Sequence, residues 1–349
     1  MSEAHSPITR FPYERADYEE VLCNLCGRND VEILAATGRG KIPVRAVICR
    51  FCGLIYINPR MTGEWYEKFY DTGYREETAR MKGGQSLGAT DAGLEKIFQS
   101  GFKFGSGLIQ QVGRYLKPGL TIEVGSSAGG VLSALKDKRS DIEVMGIEPS
   151  PREADFAENR GIKTIVSLFE NLGGRLPQAA NIVIARSLNH LLDPKRFFSW
   201  AHENLLPDGR LIVAVQDFRL SAKKKGSISA ATQIDHTYMF TKETLENFLR
   251  AAGFKILFCE TSEEKSFREW TAMRASGLTD HMRFVAVKEN RRPFSDPSLI
   301  TPLYPAVRRS FTRREILRFS IPFAWRKFNE NPKLWFYHRL RRLGRPLLR

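Results

Sequence analysis

Between residues 120 and 130 the chain reads Leu120-Thr121-Ile122-Glu123-Val124-Gly125-Ser126-Ser127-Ala128-Gly129-Gly130. The first five residues form a short, mostly apolar run that predicts a buried strand, and the run of small residues after it predicts a tight turn. A helix is expected from the turn to Lys136. A strand, a glycine loop and a helix in this order predict a ligand site at the carboxyl end of the strand.

The same alternation of strand and helix signals continues on both sides of this loop. An upstream helix is expected over about Leu94 to Tyr115, and a later one over Lys242 to Ala252, with Thr241 as its N-cap and Gly253 as its stop. Further strands are predicted at Ile142–Ile147, Asn181–Ala185 and Arg210–Val215, and a closing antiparallel pair at Phe254–Glu260 and Met282–Lys288. The pattern therefore predicts an α/β fold with a doubly wound sheet.

The glycine loop narrows the choice of cofactor. A dinucleotide fingerprint would need glycine at 125, 127 and 130, but Ser127 occupies the middle position, where the backbone must approach a pyrophosphate. S-adenosylmethionine has no pyrophosphate, so a small polar residue is tolerable there. This cofactor still needs an acidic residue at the end of the second strand to accept hydrogen bonds from its ribose, and Glu148 supplies one.

Three motifs in order carry a family resemblance: Glu123-x-Gly125-x-Ser127-x-Gly129, then Gly146-Ile147-Glu148-Pro149, then Ala185 to Pro194. Together they resemble a class I S-adenosylmethionine-dependent methyltransferase, over roughly Leu94 to Glu289. The resemblance implies a Rossmann-like sheet with an antiparallel last strand. It also implies cofactor contacts from the following residues: Glu123, Gly125, Ser126, Ser127, Gly129, Glu148, Ala185 and Arg186.

Two C-x₂-C-G motifs precede this region, at Cys23 to Gly27 and at Cys49 to Gly53. Paired cysteines at this spacing, each followed by a glycine that permits a tight turn, predict a zinc ribbon with Cys23, Cys26, Cys49 and Cys52 around a structural Zn²⁺. The alternative is four reduced cysteines without a metal. With the ribbon in front, the chain is similar to a zinc-binding methyltransferase subgroup that includes sugar C-methyltransferases.

Methyl transfer from a sulfonium is an in-line displacement, so the enzyme positions the acceptor and removes its proton where needed. His236, beside Asp235, is the first candidate base, and His190, which follows the fourth strand within the Ala185 to Pro194 motif, either shapes the cofactor pocket or takes part in catalysis. The C-methyltransferases carry Tyr-His-Glu-His in the loop of His236, and only Asp235 and His236 correspond here. They also have an asparagine where this chain has Arg186. Those departures favour O-methylation of a sugar hydroxyl over C-methylation.

The positive charge is concentrated at the C-terminus. The 349 residues carry a net charge of +15, and residues 291–349 alone contain 15 arginines and lysines against three acids. Aromatic residues are interleaved with these cations, at Phe311, Phe319, Phe323, Trp325, Phe328, Trp335, Phe336 and Tyr337. This mixture favours contact with an anionic membrane surface, with RNA and a loosely packed extension as the alternatives.

We therefore expect four units: a zinc ribbon (1–62), a helical linker or lid (63–118), the S-adenosylmethionine-binding domain (119–290) and a basic tail (291–349). The expected activity is methylation of a sugar, nucleotide-linked or in a glycan, for cell-surface polysaccharide or secondary-metabolite biosynthesis. An RNA methyltransferase and a non-enzymatic adaptor with a degenerate fold are the alternatives. The cysteines at metal spacing and the lack of a signal segment predict a cytoplasmic protein, held at the inner membrane face by its tail. The acceptor atom and the oligomeric state are left open.

Overall fold

The computed structural model describes residues 11–70, 74, 90–173, 176–261, 278, 280–318 and 320. Its strands are β1 Tyr18–Glu19, β2 Val31–Ala35, β3 Ala46–Cys49, β4 Ile55–Ile57, β5 Arg60–Met61, β6 Gly119–Val124, β7 Ile142–Glu148, β8 Lys163–Val166, β9 Ala179–Ala185, β10 Leu205–Gln216, β11 Tyr238–Met239, β12 Phe254–Glu260 and β13 His281–Lys288. Its helices are α1 Gly63–Lys68, α2 Asp91–Val112, α3 Gly130–Lys138, α4 Pro151–Glu158, α5 Pro194–Asn204, α6 Phe218–Lys225, α7 Ile228–Ala231, α8 Lys242–Ala251 and α9 Tyr304–Ser310.

Seven strands form the central sheet in the order β12-β13-β10-β9-β6-β7-β8. The strands from β10 to β8 along this order run parallel, and β13 lies antiparallel to both β10 and β12. The apolar runs that predicted strands are buried here between helices on both faces. The predicted α/β sheet with an antiparallel closing pair is therefore confirmed.

Two features of this sheet carried too little local signal to be predicted. The edge strand β8 has only four residues, and α5 begins at Pro194, the last residue of the Ala185 to Pro194 motif. The Asp193 side chain caps α5 by accepting a hydrogen bond from the Arg196 N–H. The expected helix before the sheet is present as α2, which packs on α3 through apolar side chains that include Phe104, Leu108 and Leu135.

A second sheet lies beside the first, and its four strands run in the order β11-β4-β3-β2. Three of them belong to the ribbon. The fourth, β11, comes from the segment after β10 and pairs antiparallel with β4, Tyr238 opposite Tyr56. That segment also contains α6 and α7, where only a long loop was expected. The ribbon sheet is thus completed by the segment that carries Asp235 and His236.

The first part of the basic tail packs against the ribbon. The N–H groups of Leu303 and Tyr304 both donate to the carbonyl of Phe51, and Val307 and Phe311 are buried. The tail residues from Phe319 to Tyr337 that the charge pattern singled out lie outside the described residues, as do 71–73 and 75–89 of the expected lid. None of the described helices combines the length and the apolar character needed to cross a bilayer.

Candidate active site

The glycine loop meets the end of β9 at the centre of the sheet. Gly125 has a φ of +75°, and a Cβ at this position would lie 2.5 Å from the Cβ of Ser187. The Ser187 hydroxyl donates to the carbonyl of Val124 at 2.6 Å, which ties the loop after β6 to the loop after β9. Only glycine allows this conformation at this separation. The contact lies where the connections diverge to opposite sides of the sheet, the place where open α/β sheets bind ligands.

The carboxylate of Glu148 is held against this loop. It lies at the end of β7, and one oxygen accepts from the Ser127 N–H at 2.7 Å while the other accepts from the Ser150 N–H at 3.0 Å. Ser127 has a φ of +52°, which turns its N–H toward the carboxylate. A fixed carboxylate at this position can accept hydrogen bonds from a ribose diol.

Glu123 lies deeper, at the end of β6. Its side chain is buried, and its Oε2 atom has no hydrogen-bond partner among the described residues. Burial, together with the nearby charge of Glu148, raises the pKa of Glu123 well above its usual value, and the charge of Arg186 opposes this change. Glu123 therefore carries a proton more readily than an exposed glutamate does.

A cavity of about 560 Å³ opens over the two acidic residues, and this volume is in the usual range for cofactor sites. It is lined by seven of the eight expected cofactor residues: Glu123, Gly125, Ser126, Ser127, Glu148, Ala185 and Arg186. Gly129, the eighth, does not line the cavity; it has a φ of +80° and starts α3. The structure also brings His190, Tyr70, Tyr74 and Glu170 to the cavity wall. Tyr70 lies just beyond α1, and no sequence motif marked it as a site residue.

Arg186 stands out by its backbone as well as by its charge. Its φ is +71°, which is unusual for a residue other than glycine, and its N–H donates to the carbonyl of Ala214 at 2.7 Å. Its exposed guanidinium lies over the ring of Phe104, 5.5 Å from the centroid. A strained cation at the carboxyl end of β9 is positioned to meet an anionic or polar group in the cavity.

His190, Asp235 and His236 lie together in the structure. His190 Nδ1 is 3.7 Å from an Asp235 carboxylate oxygen, and His236 Nε2 is 4.0 Å from the same oxygen. The two imidazole rings are nearly perpendicular, with centroids 4.9 Å apart. The Tyr70 hydroxyl lies 3.2 Å from His190 Nδ1.

The two histidines differ in their environments. His236 is buried and does not line the cavity, and this burial lowers its pKa to about 3, so that it is neutral. Asp235 was expected to raise the basicity of His236, but the loss of solvation outweighs its charge. His190 is less buried and lines the cavity.

A hydrogen-bonded chain from the ribbon fixes His236. The Arg39 guanidinium donates to the Gln233 side-chain oxygen at 3.0 Å, which orients the amide so that its nitrogen faces the imidazole at 3.0 to 3.1 Å from both ring nitrogens. This nitrogen can only donate, so Gln233 is the donor in this contact and His236 is the acceptor. The Thr237 hydroxyl bonds to carbonyls on either side of His190, those of Asn189 and Leu191, and joins this segment to the loop after β9.

The four ribbon cysteines form a second cluster. Their sulfur atoms all lie within 4.8 Å of one another, with Cys23 and Cys52 3.4 Å apart and Cys26 and Cys49 3.5 Å apart. Zinc–sulfur bonds of about 2.3 Å in a tetrahedron give sulfur separations of about 3.8 Å, so the cluster fits this ion. Gly27 and Gly53 have φ values of +73° and +75°, as expected for the turns that follow the two cysteine pairs.

Residues 105–257 match a protein family described as "Methyltransferase domain". They include the glycine loop, Glu148 and the histidine cluster. The chain therefore contains a methyltransferase domain. No curated protein sequence matches the methyltransferase.

Solved structures similar to the methyltransferase include the plantazolicin methyltransferase BpumL in complex with SAH, with 13% identity, 56% of this chain and 85% of that chain covered, and a TM-score of 0.42. An S-adenosylmethionine-dependent methyltransferase from Clostridium acetobutylicum has 14% identity, with 54% and 92% covered and a TM-score of 0.42. One from Mesorhizobium loti has 16% identity, with 52% and 98% covered and a TM-score of 0.42.

Proposed function

We propose that this enzyme transfers the methyl group of S-adenosylmethionine to a hydroxyl of a sugar, either nucleotide-linked or part of a glycan. The observation that carries the proposal is the position of His190. This histidine lines the cavity that begins at Glu148, and it has Asp235 and the Tyr70 hydroxyl beside it. A base at this place can reach the proton of a hydroxyl that attacks a donor lying on the glycine loop.

His190 is the proton acceptor in this proposal, in place of His236. The imidazole accepts the hydroxyl proton as the oxygen attacks the methyl carbon, and Asp235 stabilises the positive charge that develops on the ring. His236 is less suited to this step, because it is buried away from the cavity and Gln233 donates to it. Its role is to pack at a right angle against His190 and to hold it in place.

The remaining cavity wall supports a carbohydrate acceptor. Two aromatic residues, Tyr70 and Tyr74, line it together with the acidic Glu170 and the basic Arg186. Aromatic surface combined with a few convergent polar groups suits a sugar, which has apolar ring faces and hydroxyls around its edge. The resemblance to sugar-modifying enzymes points to the same acceptor class.

The test is a methyl-transfer screen over nucleotide sugars, lipid-linked glycans and RNA, read by mass spectrometry. With the acceptor found, His190→Asn should lower kcat by about 10²- to 10⁴-fold, the usual contribution of a general base. Binding of S-adenosylhomocysteine should stay at the wild-type value. His202→Gln, at a histidine that bonds to the Glu289 carbonyl far from the cavity, is the control.

Two results would overturn this proposal. Methylation of RNA without any sugar product would favour the polyanion acceptor. If His236→Gln lost activity and His190→Asn kept full activity, His236 would be the proton acceptor instead of His190.

We also propose that Cys23, Cys26, Cys49 and Cys52 bind one structural Zn²⁺. Their separations fit a closed tetrahedral site, in which four protein ligands leave no position for a substrate. Zinc-bound thiolates are typical of a reducing compartment, and we therefore place the enzyme in the cytoplasm.

A further inference from the structure

The C-terminal segment carries four exposed arginines within ten residues: Arg309, Arg313, Arg314 and Arg318. None of the four forms an ion pair with another described residue. The neighbouring Arg308 differs, because its guanidinium bonds to Glu32 of the ribbon at 2.8 Å. We call the four exposed arginines the arginine patch. Glu315 is the one acid in the same stretch, so the patch has a clear positive excess.

The arginine patch is fixed to the body of the enzyme. Val307, Phe311 and Ile316 are buried on the opposite side of the same segment. Phe311 packs on Phe218 of α6, with ring centroids 5.5 Å apart, and Val307 lies against the ribbon turn at Gly53. The backbone that presents the arginines is therefore held by apolar contacts with the ribbon and with α6.

The chemistry of the patch favours a lipid surface over RNA. Leu317 lies between the arginines and is 37% exposed. Beyond residue 320 the sequence continues with further cations and with aliphatic side chains that include Leu334, Leu340, Leu343 and Leu347. Aliphatic groups enter the boundary between headgroups and acyl chains, and the aromatic residues of the same tail suit the membrane interface, so cations combined with both kinds of apolar side chain favour an anionic bilayer.

We propose that the arginine patch docks the enzyme on an anionic lipid bilayer. Docking has a consequence for the substrate, which rests on the function proposed above. Phe311, which lies between the patch arginines in sequence, packs on Phe218 of α6, so the patch belongs to the body that carries the active site. An enzyme held at a bilayer meets acceptors that are themselves in the bilayer, and the acceptor of this chemistry is a lipid-linked sugar.

The experiment measures co-sedimentation of the full chain with vesicles of phosphatidylcholine, with or without phosphatidylserine. One variant removes the patch charges through Arg309→Gln, Arg313→Gln, Arg314→Gln and Arg318→Gln. The matched control removes four exposed cations from other elements through Lys136→Gln, Lys163→Gln, Arg196→Gln and Lys255→Gln. We expect vesicle binding of the wild-type protein to depend on phosphatidylserine. The affinity for these vesicles should fall about five-fold for each patch arginine removed, and the control variant should keep most of the wild-type affinity.

Three outcomes would overturn the proposal. In the first, the wild-type protein binds vesicles equally well with and without phosphatidylserine. In the second, the patch variant binds vesicles as well as the control variant does. In the third, no protein binds vesicles, and the patch variant loses affinity for single-stranded RNA. None of them bears on the sugar methylation itself, because transfer to a soluble acceptor is measured without vesicles. If the enzyme methylated only nucleotide sugars and still bound vesicles, the docking proposal would stand and the lipid-linked acceptor would be refuted.

Discussion

We expect donor binding to depend most directly on Glu148. Its two carboxylate oxygens accept from Ser127 and Ser150, and these bonds hold the group rigid at the place proposed for the ribose diol. Hydrogen bonds to a charged group contribute about 1.5 to 3 kcal/mol, so Glu148→Ala should weaken S-adenosylhomocysteine binding by about 10- to 100-fold in calorimetry. Glu143→Ala, at an exposed position on the same strand, should leave the affinity unchanged. A folded Glu148→Ala protein with wild-type affinity would contradict the assigned donor site.

At the same scale, the sequence could show which residue types are present, but not the environment of each one. The position of Glu148 at the cavity could be predicted, because an acid that ends the second strand of such a sheet has little freedom in where it points. The choice between His190 and His236 could not be predicted. It depends on the contact of Gln233 with His236 and on the burial of that ring, and these arise only when the ribbon, the loop after β9 and the segment after β10 come together.

At the scale of elements, long apolar strands were predictable and short ones were not. β9 and β10 each contain a continuous apolar run, and β6 and β7 are rich in branched apolar residues, which is a strong local signal. β11 has two residues, and it is a strand only because Tyr56 of the ribbon lies opposite Tyr238. The attachment of the segment after β10 to the ribbon therefore depends on tertiary contacts, and no local sequence pattern predicts it.

This attachment makes the proposed zinc site matter for catalysis. Cys49→Ser should remove the bound zinc and loosen β3 and β4, because structural zinc sites contribute folding free energy directly. Since β11 pairs with β4, Asp235 and His236 would lose their support, and methyl transfer should fall at least about ten-fold. Binding of S-adenosylhomocysteine should change much less, because the glycine loop belongs to the other sheet.

Metal content, melting temperature and donor affinity measured on the same samples check this expectation. Cys259→Ser is the matched control, since this cysteine lies on β12 and outside the cluster. It should keep a full equivalent of zinc. Wild-type protein without zinc, or a Cys49→Ser variant with normal activity, would refute the structural role.

At the scale of the whole molecule, the segment after the last strand, β13, holds the ribbon and the segment after β10 together. Residues 303–311 contact the ribbon through the Phe51 carbonyl and Glu32, and they contact α6 through Phe218. The sequence left open whether this region is a loosely packed extension. The buried side chains of Val307 and Phe311 indicate instead that its first part is a clasp between the ribbon and the segment after β10.

Phe311→Ala tests the clasp, because Phe311 is 3% exposed and its removal opens a cavity against Phe218. Truncation of a buried phenylalanine costs about 3 to 5 kcal/mol of unfolding free energy, whereas Leu317→Ala, at a side chain that is 37% exposed, should cost less than about 0.5 kcal/mol. Hydrogen exchange should become faster in β3, β4 and α6, which the clasp joins, and should stay slow in β6 and β7 at the donor site. Equal stabilities of the two variants would mean that the segment only lies on the surface, and the arginine patch would then have no fixed orientation relative to the active site.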